Sequence, residues 1–431
     1  MVGYAMRIGF TILVSSLPEE RARYADESFR ICRESLSRYG DLIDYHPVIY
    51  SDVDPSSLEG WLEGLDGLIL YVWSGGTDNL IRDIVELYGG PTFIYSHPHH
   101  NSLASVREAI AVLRMEGLKY FFGYGEAGEL GSIVEPYIKA IYTVSRLKGS
   151  RIGIVGRPEP WILIRRGDEL LSRRFGIEAI HIDWDKLYDY SSRVGSEEVE
   201  EMLKEVLDGF KYIDVSTSNI EKSIRIYYGL RRIIDEYGLS SLAVEARDML
   251  EENLRDYGPY LAVSILSSNG IPSDYEVDID AILTKLILYY LTGSEGFMAN
   301  ITVLDRDRNT VILSHCTIPI GMINMEYSRL TTYFETGRSV AIRGRLYERE
   351  ATIARLGGME MDEMMVAKGL ILDGDVGRGD LCRTQALVRI DGDIDRLIYE
   401  SLGNHVIMVY GDWIEHIKVF TDILDIDLIE I

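Results

Sequence analysis

The hydrophobic positions in the first third of the chain form short, continuous apolar runs that alternate with amphipathic segments. Arg7–Val14, Gly67–Val72 and Pro91–Ser96 have the length and content of buried strands, and Pro18–Tyr39 has the spacing of an amphipathic helix. Strands and helices in alternation indicate a parallel sheet covered by helices. We therefore predict an N-terminal α/β domain at residues 1–148.

The next segment repeats this pattern. Arg151–Val155 (RIGIV) echoes the RIGF of Arg7–Phe10, and Leu242–Val244 is a further short apolar run. Each run has the length of a buried strand in a parallel sheet. A second α/β domain is predicted at residues 149–296, so the fold class is α/β with two Rossmann-like parallel-sheet domains.

Beyond Met298 the hydrophobic pattern changes to alternation in segments rich in Thr and Val, separated by Gly and Asp turns. This pattern predicts a mostly antiparallel β-barrel or sandwich at residues 297–431, closed by a helix at Trp413–Leu424 and a last strand at Asp427–Ile431. The other predicted strands are Ile301–Leu304, Thr310–Ser314, Ser339–Arg343, Ala351–Leu356, Ala386–Ile390 and Val406–Tyr410.

Composition and charge narrow the class of protein. The chain has 69 acidic and 44 basic residues among 431, a formal charge of −25, so we expect no nucleic-acid partner and no anionic membrane surface. No apolar run approaches the ~18 residues of a membrane span, and no charged-then-apolar signal precedes the first strand. The scattered Cys32, Cys316 and Cys382 suit a reducing compartment, which predicts a cytoplasmic protein. A single glutamine, Gln385, with abundant charged residues indicates a thermophilic source.

Residue types that bind hard cations concentrate around one predicted helix, Asp278–Leu291, whose apolar positions recur every three or four residues. Glu276 therefore lies at a strand-to-helix junction, after the apolar approach Leu261–Ile271. Open α/β sheets bind ligands at the carboxyl ends of their strands, which makes Glu276 a candidate. Asp278 and Asp280 lie in the first helical turn, where acidic side chains also serve simply as caps.

His315 is a second candidate in the same region. It directly follows the predicted buried strand Val311–Ser314 and precedes the turn at Pro319. An imidazole in this place is either a structural hydrogen-bonding group or a metal ligand. Its separation from Glu276 in the chain suits two ligands on successive elements that converge on one point.

Six phrases in this part of the chain resemble the L-fucose isomerase and L-arabinose isomerase superfamily, especially its shorter fucose-isomerase-like members. They occur in the family's order between Tyr275 and Asp412: YEVDIDA, LTGSEGFMAN, NTVILSHCTIPIGM, FETGRSVAIRG, LCRTQALV and GNHVIMVYGD. The resemblance implies a metal-dependent aldose–ketose isomerase that acts on a fucose- or arabinose-like sugar through an enediol intermediate. It also implies a homo-oligomer, commonly a trimer or hexamer.

The resemblance further implies a divalent metal, usually Mn²⁺, held by Glu276 of the E-x-D motif, His315 of the His-Cys strand and His405 of Gly-Asn-His. The family's second acid is replaced here by Asn300, or by Ala299 with a one-residue shift. An amide oxygen can ligate a cation, but it carries no charge and takes up no proton at neutral pH. Asn300 is then a weak ligand or a hydrogen-bond donor to the sugar.

With Asn300 neutral, Glu276 is expected to be both metal ligand and base, and the missing acid is Asp278, Glu245 or a water. Glu245 follows the strand Leu242–Val244 at the edge where such sheets bind ligands. Two alternatives stay open: a non-catalytic sugar-binding protein on the same fold, and an enolisation or aldol-type enzyme that acts on a sugar acid or sugar phosphate.

Two predicted loops have alternative interpretations. The three histidines of His97–Ser102 are too close in sequence to suit one ion, so sugar-hydroxyl binding or helix capping by Asn101 and Ser102 is expected. Trp161, beside prolines in the loop after Arg151–Val155, serves either to stack on a sugar or to pack at a domain junction.

Overall fold

The structure is a computed structural model that describes residues 6–16, 19–246 and 256–431. The described chain divides into two units. The first consists of the described residues up to Ser145 together with Glu415–Leu424, and the second of those in Arg146–Ile414 and Asp425–Ile431. Pro18, the predicted start of the first helix, lies outside the described residues.

The first unit is built on a parallel sheet with the strand order β2-β1-β4-β5-β6, with β3 pairing the far end of β1. Its strands are β1 (Ile8–Val14), β2 (Ile43–Tyr45), β3 (Ile49–Tyr50), β4 (Gly67–Val72), β5 (Thr92–Ser96) and β6 (Tyr120–Tyr124). All residues of β1, β4 and β5 are buried, as expected for a sheet covered on both faces. The predicted parallel α/β architecture is confirmed.

Helices connect these strands in the order that the hydrophobic pattern predicts. They are α1 (Glu19–Ser35), α2 (Glu59–Leu62), α3 (Asp78–Tyr88), α4 (Ser102–Glu116), α5 (Leu130–Ile133) and α6 (Glu135–Leu147), with 3-10 turns at Ser37–Leu42, Pro55–Leu58 and Ala127–Glu129. α1 is shorter than predicted because the chain after Ser35 tightens into a 3-10 turn that is kinked at Gly40.

The second unit begins with a parallel sheet in the order β11-β10-β7-β8, which confirms the second α/β region. Most of the predicted apolar approach Leu261–Ile271 is a buried helix, which periodicity alone does not distinguish from a buried strand. A three-residue strand then leads to Glu276. The strands are β7 (Arg151–Val155), β8 (Glu178–Ile182), β9 (Tyr212–Ile213), β10 (Ser241–Val244) and β11 (Ser273–Tyr275). The helices are α7 (Asp168–Phe175), α8 (Trp184–Ser192), α9 (Ser196–Gly209), α10 (Thr217–Tyr237), α11 (Tyr260–Ser268) and α12 (Ile279–Thr292).

The rest of the second unit contains a closed antiparallel barrel in the order β16-β19-β12-β13-β18-β17, which closes where β17 pairs with β16. β20 (Asp427–Glu430) adds to β17 in parallel, and β14 (Arg329–Thr331) and β15 (Ala341–Arg343) form a small separate sheet with β9. The barrel strands are β12 (Phe297–Asp305), β13 (Thr310–His315), β16 (Glu350–Gly357), β17 (Glu363–Asp373), β18 (Thr384–Ile390) and β19 (His405–Tyr410).

Three details of this part differ from the sequence prediction. β17 was not predicted. Ser339–Arg343 contributes its last three residues to the small sheet rather than to the barrel. The helix predicted to close the barrel is α14 (Ile414–Ile423), but its Val419 and Ile423 pack against the core of the first unit. The barrel closes through strand pairing alone. A short helix, α13 (Arg396–Tyr399), and a 3-10 turn at Ile320–Met322 complete the elements.

A continuous hydrophobic core joins the second parallel sheet to the barrel. It includes Leu261 and Val263 of α11 together with Phe297, Leu313 and Met408 of the barrel strands. β11, β13 and β19 are therefore parts of one packed body, which is what positions the site described below. The predicted boundaries at 148/149 and 296/297 stay predictions. Within the part of the chain that the structure describes, no helix is long and apolar enough to cross a membrane.

Candidate metal centre

Three side chains that are far apart in the sequence come together in the second unit. Glu276 follows β11, His315 ends β13 and His405 begins β19. Each offers one ligand atom, and these atoms all lie within 4.8 Å of one another. Glu276 is 7% exposed and both histidines are fully buried. Among the residues that the structure describes, this is the only such group of His, Cys, Asp and Glu side chains.

Glu276 occupies an unusual backbone conformation at the strand-to-helix junction. Its φ is +70°, in the left-handed region that costs a non-glycine residue about 1–2 kcal/mol. Its own N–H donates to Val244 O at 3.0 Å, and the next N–H, of Val277, donates to the buried carboxylate of Glu159 at 2.8 Å. Strained residues persist where the surroundings determine the conformation, and they concentrate at functional sites.

The orientation of His315 is set by a buried chain of hydrogen bonds on its Nδ1 side. Nδ1 lies 2.8 Å from the Thr317 hydroxyl, whose own proton goes to the carboxylate of Asp274. Because a hydroxyl has a single proton to donate, it accepts from Nδ1–H of His315, which leaves a lone pair on Nε2. Lys285, only 2% exposed, donates to Asp274 Oδ2 at 2.7 Å and compensates its charge.

Burial lowers the pKa of His315 well below its ordinary value, and the charges of His405 and Lys285 lower it further. The ring is therefore neutral at pH 7. A neutral imidazole with a free Nε2 lone pair is the form that binds metal ions.

His405 is held in the same way from its Nδ1 side. Nδ1–H donates to Asp278 Oδ2 at 2.9 Å, and Asp278 is fixed by two hydrogen bonds from the fully buried Arg355, at 2.8 and 3.0 Å. Arg355 also donates to the His405 carbonyl at 2.8 Å. A side chain at Gly403 would collide with this guanidinium, since a Cβ there would lie 2.3 Å from Arg355 Nη2. This contact explains the glycine of Gly-Asn-His.

Burial disfavours the charge on His405, but the carboxylates of Asp278 and Glu276 outweigh it and raise its pKa to about 9. Burial likewise opposes ionisation of Asp278, yet Arg355 and His405 together hold the pKa of that carboxyl well below its usual range. In the metal-free protein at pH 7, a His405 imidazolium thus lies between two carboxylates.

The donor set fits a divalent cation. Among the described residues, His315 Nε2 and His405 Nε2 are both buried without a hydrogen-bond partner. His405 Nε2 lies 3.3 Å from Glu276 Oε2 but is not aligned for a hydrogen bond. Buried polar atoms without partners are costly, and both histidines belong to the group that can converge with the Glu276 carboxylate on one ion. Because each Nδ1 is already hydrogen-bonded, Nε2 is the nitrogen that each ring has available for the ion. Two imidazoles and a carboxylate form a ligand set for Mn²⁺, Fe²⁺ or Zn²⁺ that leaves coordination positions open.

Two other predicted acids have structural partners. Asp278 is the N-cap of α12, where it accepts a hydrogen bond from Ala281 N at 3.2 Å, so its capping role is confirmed. Its carboxylate lies on the Nδ1 side of His405, behind the ring as seen from Glu276. Asp280 pairs with Arg166, whose Nη2 lies 2.7 Å from Asp280 Oδ2.

Asn300 lies on β12 opposite Ser314 on one side and His405 on the other. Its side-chain nitrogen donates to Ser314 O at 3.4 Å. In the described part of the chain, no hydrogen bond joins its amide to the three candidate ligands. Ala299, the other residue aligned with the missing acid, precedes Asn300 on β12 and is fully buried. Its methyl group can neither ligate a metal nor transfer a proton.

The remaining sequence candidates lie elsewhere or have other contacts. Glu245 follows β10, and its side chain lies against Gly156, where an added Cβ would be 2.1 Å from the carboxylate. In the loop His97–Ser102, His97 Nε2–H donates to Trp73 O at 2.9 Å. Asn101 occupies the N-cap position of α4, but its side chain makes no capping hydrogen bond, so the prediction of side-chain capping by Asn101 is wrong and the alternative, sugar-hydroxyl binding by this loop, stays a prediction.

Several residues that shape the site were not predicted from the sequence. Arg355, Lys285, Thr317 and Asp274 all support the two imidazoles. The sequence does contain a signal for Lys285 and Arg355, because each lies in the apolar part of a helix or strand. A charged side chain is buried there only when it is paired.

Comparison with known protein families found no family model that matches this chain, and comparison with curated proteins found no matching relative. The assignment of function therefore depends on the geometry of the site and on the resemblance of the motifs.

Proposed function

We propose that the protein is a metal-dependent aldose–ketose isomerase that acts on a fucose- or arabinose-like sugar through an enediol intermediate. Mn²⁺ or another divalent cation would be held by Glu276, His315 and His405. The observation that carries the proposal is the convergence of a buried carboxylate with two buried imidazoles whose Nε2 atoms have no hydrogen-bond partner. The sugar class comes from the motif resemblance.

A divalent cation in this place would supply Lewis-acid polarisation of the sugar carbonyl and hydroxyl oxygens. We assign the proton transfer between neighbouring carbons to Glu276, whose carboxylate can take the proton from one carbon and return it to the next. Asp278 is less suited, because Arg355, Ala281 N and His405 already occupy its oxygens. Asp278 would instead orient His405 and keep a proton on its Nδ1.

The buried surroundings suit this chemistry. Both imidazoles are fully excluded from water, so electrostatic interactions with a developing negative charge would be stronger than in solvent. Asn300 is placed beside the His405 strand and carries amide hydrogens that can donate to a sugar oxygen.

The first test is metal binding. The metal-free protein should bind Mn²⁺ with a stoichiometry of one per chain by calorimetry, and ion binding should raise the melting temperature. His315→Ala and His405→Ala should each abolish binding while circular dichroism shows a folded chain. His181→Ala is the matched control, since His181 is exposed on β8 and pairs with the surface Asp168. Loss of the metal in the control, or no binding of any divalent ion by the wild type, refutes the proposal.

The second test is the reaction itself. The metal-loaded protein should interconvert an aldose and its ketose in a panel of fucose- and arabinose-type sugars, and should incorporate deuterium at the carbon next to the carbonyl in D₂O. Binding of the ion without exchange or isomerisation of any sugar in the panel would refute the isomerase and leave only the metal site.

A non-catalytic sugar-binding protein is the second candidate, and the neutral Asn300 in place of the family's acid favours it. Sugar binding without turnover by the wild type, with turnover gained by Asn300→Asp, would identify a site that lost its activity through this residue. Turnover by the wild type excludes this candidate.

Homo-oligomerisation and a cytoplasmic location are further expectations from the sequence. Light scattering of the purified protein measures the number of chains in the oligomer directly. A trimer or hexamer is the expected result, and a monomer at micromolar concentration would contradict it.

A further inference from the structure

The loop that follows β7, residues 156–167, is anchored at several points beside the metal centre. Glu159, which is fully buried, accepts hydrogen bonds from Ala246 N and Val277 N, both at 2.8 Å. Ile162 is 4% exposed, and Arg166 pairs with the buried Asp280 and donates to Gly358 O at 2.7 Å. The backbone on both sides of Trp161 is therefore held in place.

Trp161 connects this anchored loop to Glu276. Its indole Nε1–H donates to Glu276 Oε2 at 3.2 Å. Trp161 is 42% exposed, whereas Glu276 is only 7% exposed, so the hydrogen bond joins a partly exposed side chain to a buried carboxylate. An indole N–H is a donor without acceptor capacity and an ionised carboxylate is an acceptor without a donor, so the two groups are complementary.

The same loop thus holds Glu276 twice. Glu159 accepts the Val277 N–H and so maintains the left-handed turn that carries Glu276, and Trp161 holds the end of its side chain. A carboxylate on a strained turn has several rotamers available, and hydrogen bonds from surrounding residues decide which one is populated.

We propose that Trp161 is a positioning residue for the metal centre: its indole N–H fixes the Glu276 carboxylate in the orientation that converges with His315 and His405 on one cation. This inference rests on the proposed function, because it assigns a role within the same site. The N–H group makes the hydrogen bond to Glu276, and the ring holds that N–H group in position.

The experiment compares Mn²⁺ binding by three variants. Trp161→Phe keeps an aromatic ring but removes the N–H, Trp161→Leu removes both, and Leu163→Ala is the control. Leu163 is in the same loop and is 86% exposed. We expect about a tenfold or greater loss of Mn²⁺ affinity in both Trp161 variants, the usual effect of removing a hydrogen bond to a ligand, and no change in the control.

Tryptophan fluorescence provides a second readout. Because the indole is bonded directly to a ligand carboxylate, Mn²⁺ should change the emission of the wild type, and the change should be absent in Trp161→Phe. The other four tryptophans of the chain are present in both proteins and provide the background.

The outcomes separate this inference from the proposed function. No Mn²⁺ binding by the wild type overturns both. Wild-type binding with unchanged affinity in Trp161→Phe overturns the positioning role alone. A loss in Trp161→Leu but not in Trp161→Phe also overturns it, because the ring rather than its N–H would then be what matters.

Discussion

Replacement of Arg355 by Met isolates the electrostatic support behind His405. Arg355 is 1% exposed and contacts both oxygens of Asp278, at 2.8 and 3.0 Å, so the variant removes the guanidinium from a buried, ionised carboxylate and leaves it only the hydrogen bonds from His405 and from Ala281 N. Breaking a buried ion pair by removal of one partner typically costs about 3–5 kcal/mol. The loss of the hydrogen bond to the His405 carbonyl adds to this cost. We expect Arg355→Met to lower the free energy of unfolding of the second unit by about 4 kcal/mol at pH 7.

The sign of the pH dependence follows from Asp278. Its pKa in the folded wild type is far below that of the unfolded chain, about 3.9. The stability that it contributes is present above that value and is lost as the pH falls through the folded pKa. Without Arg355, burial of Asp278 would raise its pKa and favour protonation, so the difference between variant and wild type should narrow as the pH is lowered from 7 to 4.

Urea unfolding of the metal-free protein, followed by circular dichroism, measures these differences. Arg306→Met is the control, because Arg306 pairs with Asp395 at the surface of the barrel and such a pair contributes at most about 1 kcal/mol. The double variant Arg355→Met with Asp278→Asn should recover much of the stability, since no buried charge then lacks a partner. A loss below about 1 kcal/mol in Arg355→Met, or no recovery in the double variant, would refute the reasoning.

Three further predictions concern the residues around the ion. Burial lowers the pKa of His405, but its carboxylate neighbours outweigh this and raise it to about 9, so Mn²⁺ must displace its proton at pH 7. Calorimetry in two buffers of different ionisation enthalpy should detect about one proton released per ion, with affinity that increases up to about pH 9 and then levels; no release would contradict this. Thr317→Val removes the acceptor that fixes the His315 tautomer, so Mn²⁺ affinity should decrease about 10- to 100-fold while the melting curve stays cooperative. Gly403→Ala introduces a methyl group 2.3 Å from Arg355 Nη2 and should destabilise the folded protein by about 1–3 kcal/mol in urea unfolding; wild-type stability would show that the guanidinium can move.

Much of the fold could be predicted from the hydrophobic pattern, because short periodic runs depend on neighbours in the sequence. Gly67–Val72 and Arg151–Val155 were predicted with the bounds that the structure has, and Asp278 was recognised at the start of its helix. The errors fall where local pattern is ambiguous. Leu261–Ile271 was recognised only as an apolar approach, because its period does not distinguish helix from strand, and β17 was not predicted.

The candidate site divides in a similar way. Glu276, His315 and His405 were identified from motifs and from their positions at the ends of elements. Their supports were not, because Arg355 and Thr317 act across long distances in the sequence or through side-chain orientation. The hydrogen bond from Trp161 to Glu276 likewise joins two loops that no local pattern relates.

By itself, the sequence determined the alternation of strands and helices, the change to β-structure after Met298, and the residue types that can bind a cation. Only the tertiary structure decided that ligand atoms of a carboxylate and two imidazoles come within 4.8 Å of one another, and that both rings keep Nε2 without a hydrogen-bond partner. The physical reason is that secondary structure depends on interactions within a few residues. The direction of an imidazole depends instead on which of its nitrogens is bonded by a partner elsewhere in the chain, here Asp278 for His405 and Thr317 for His315.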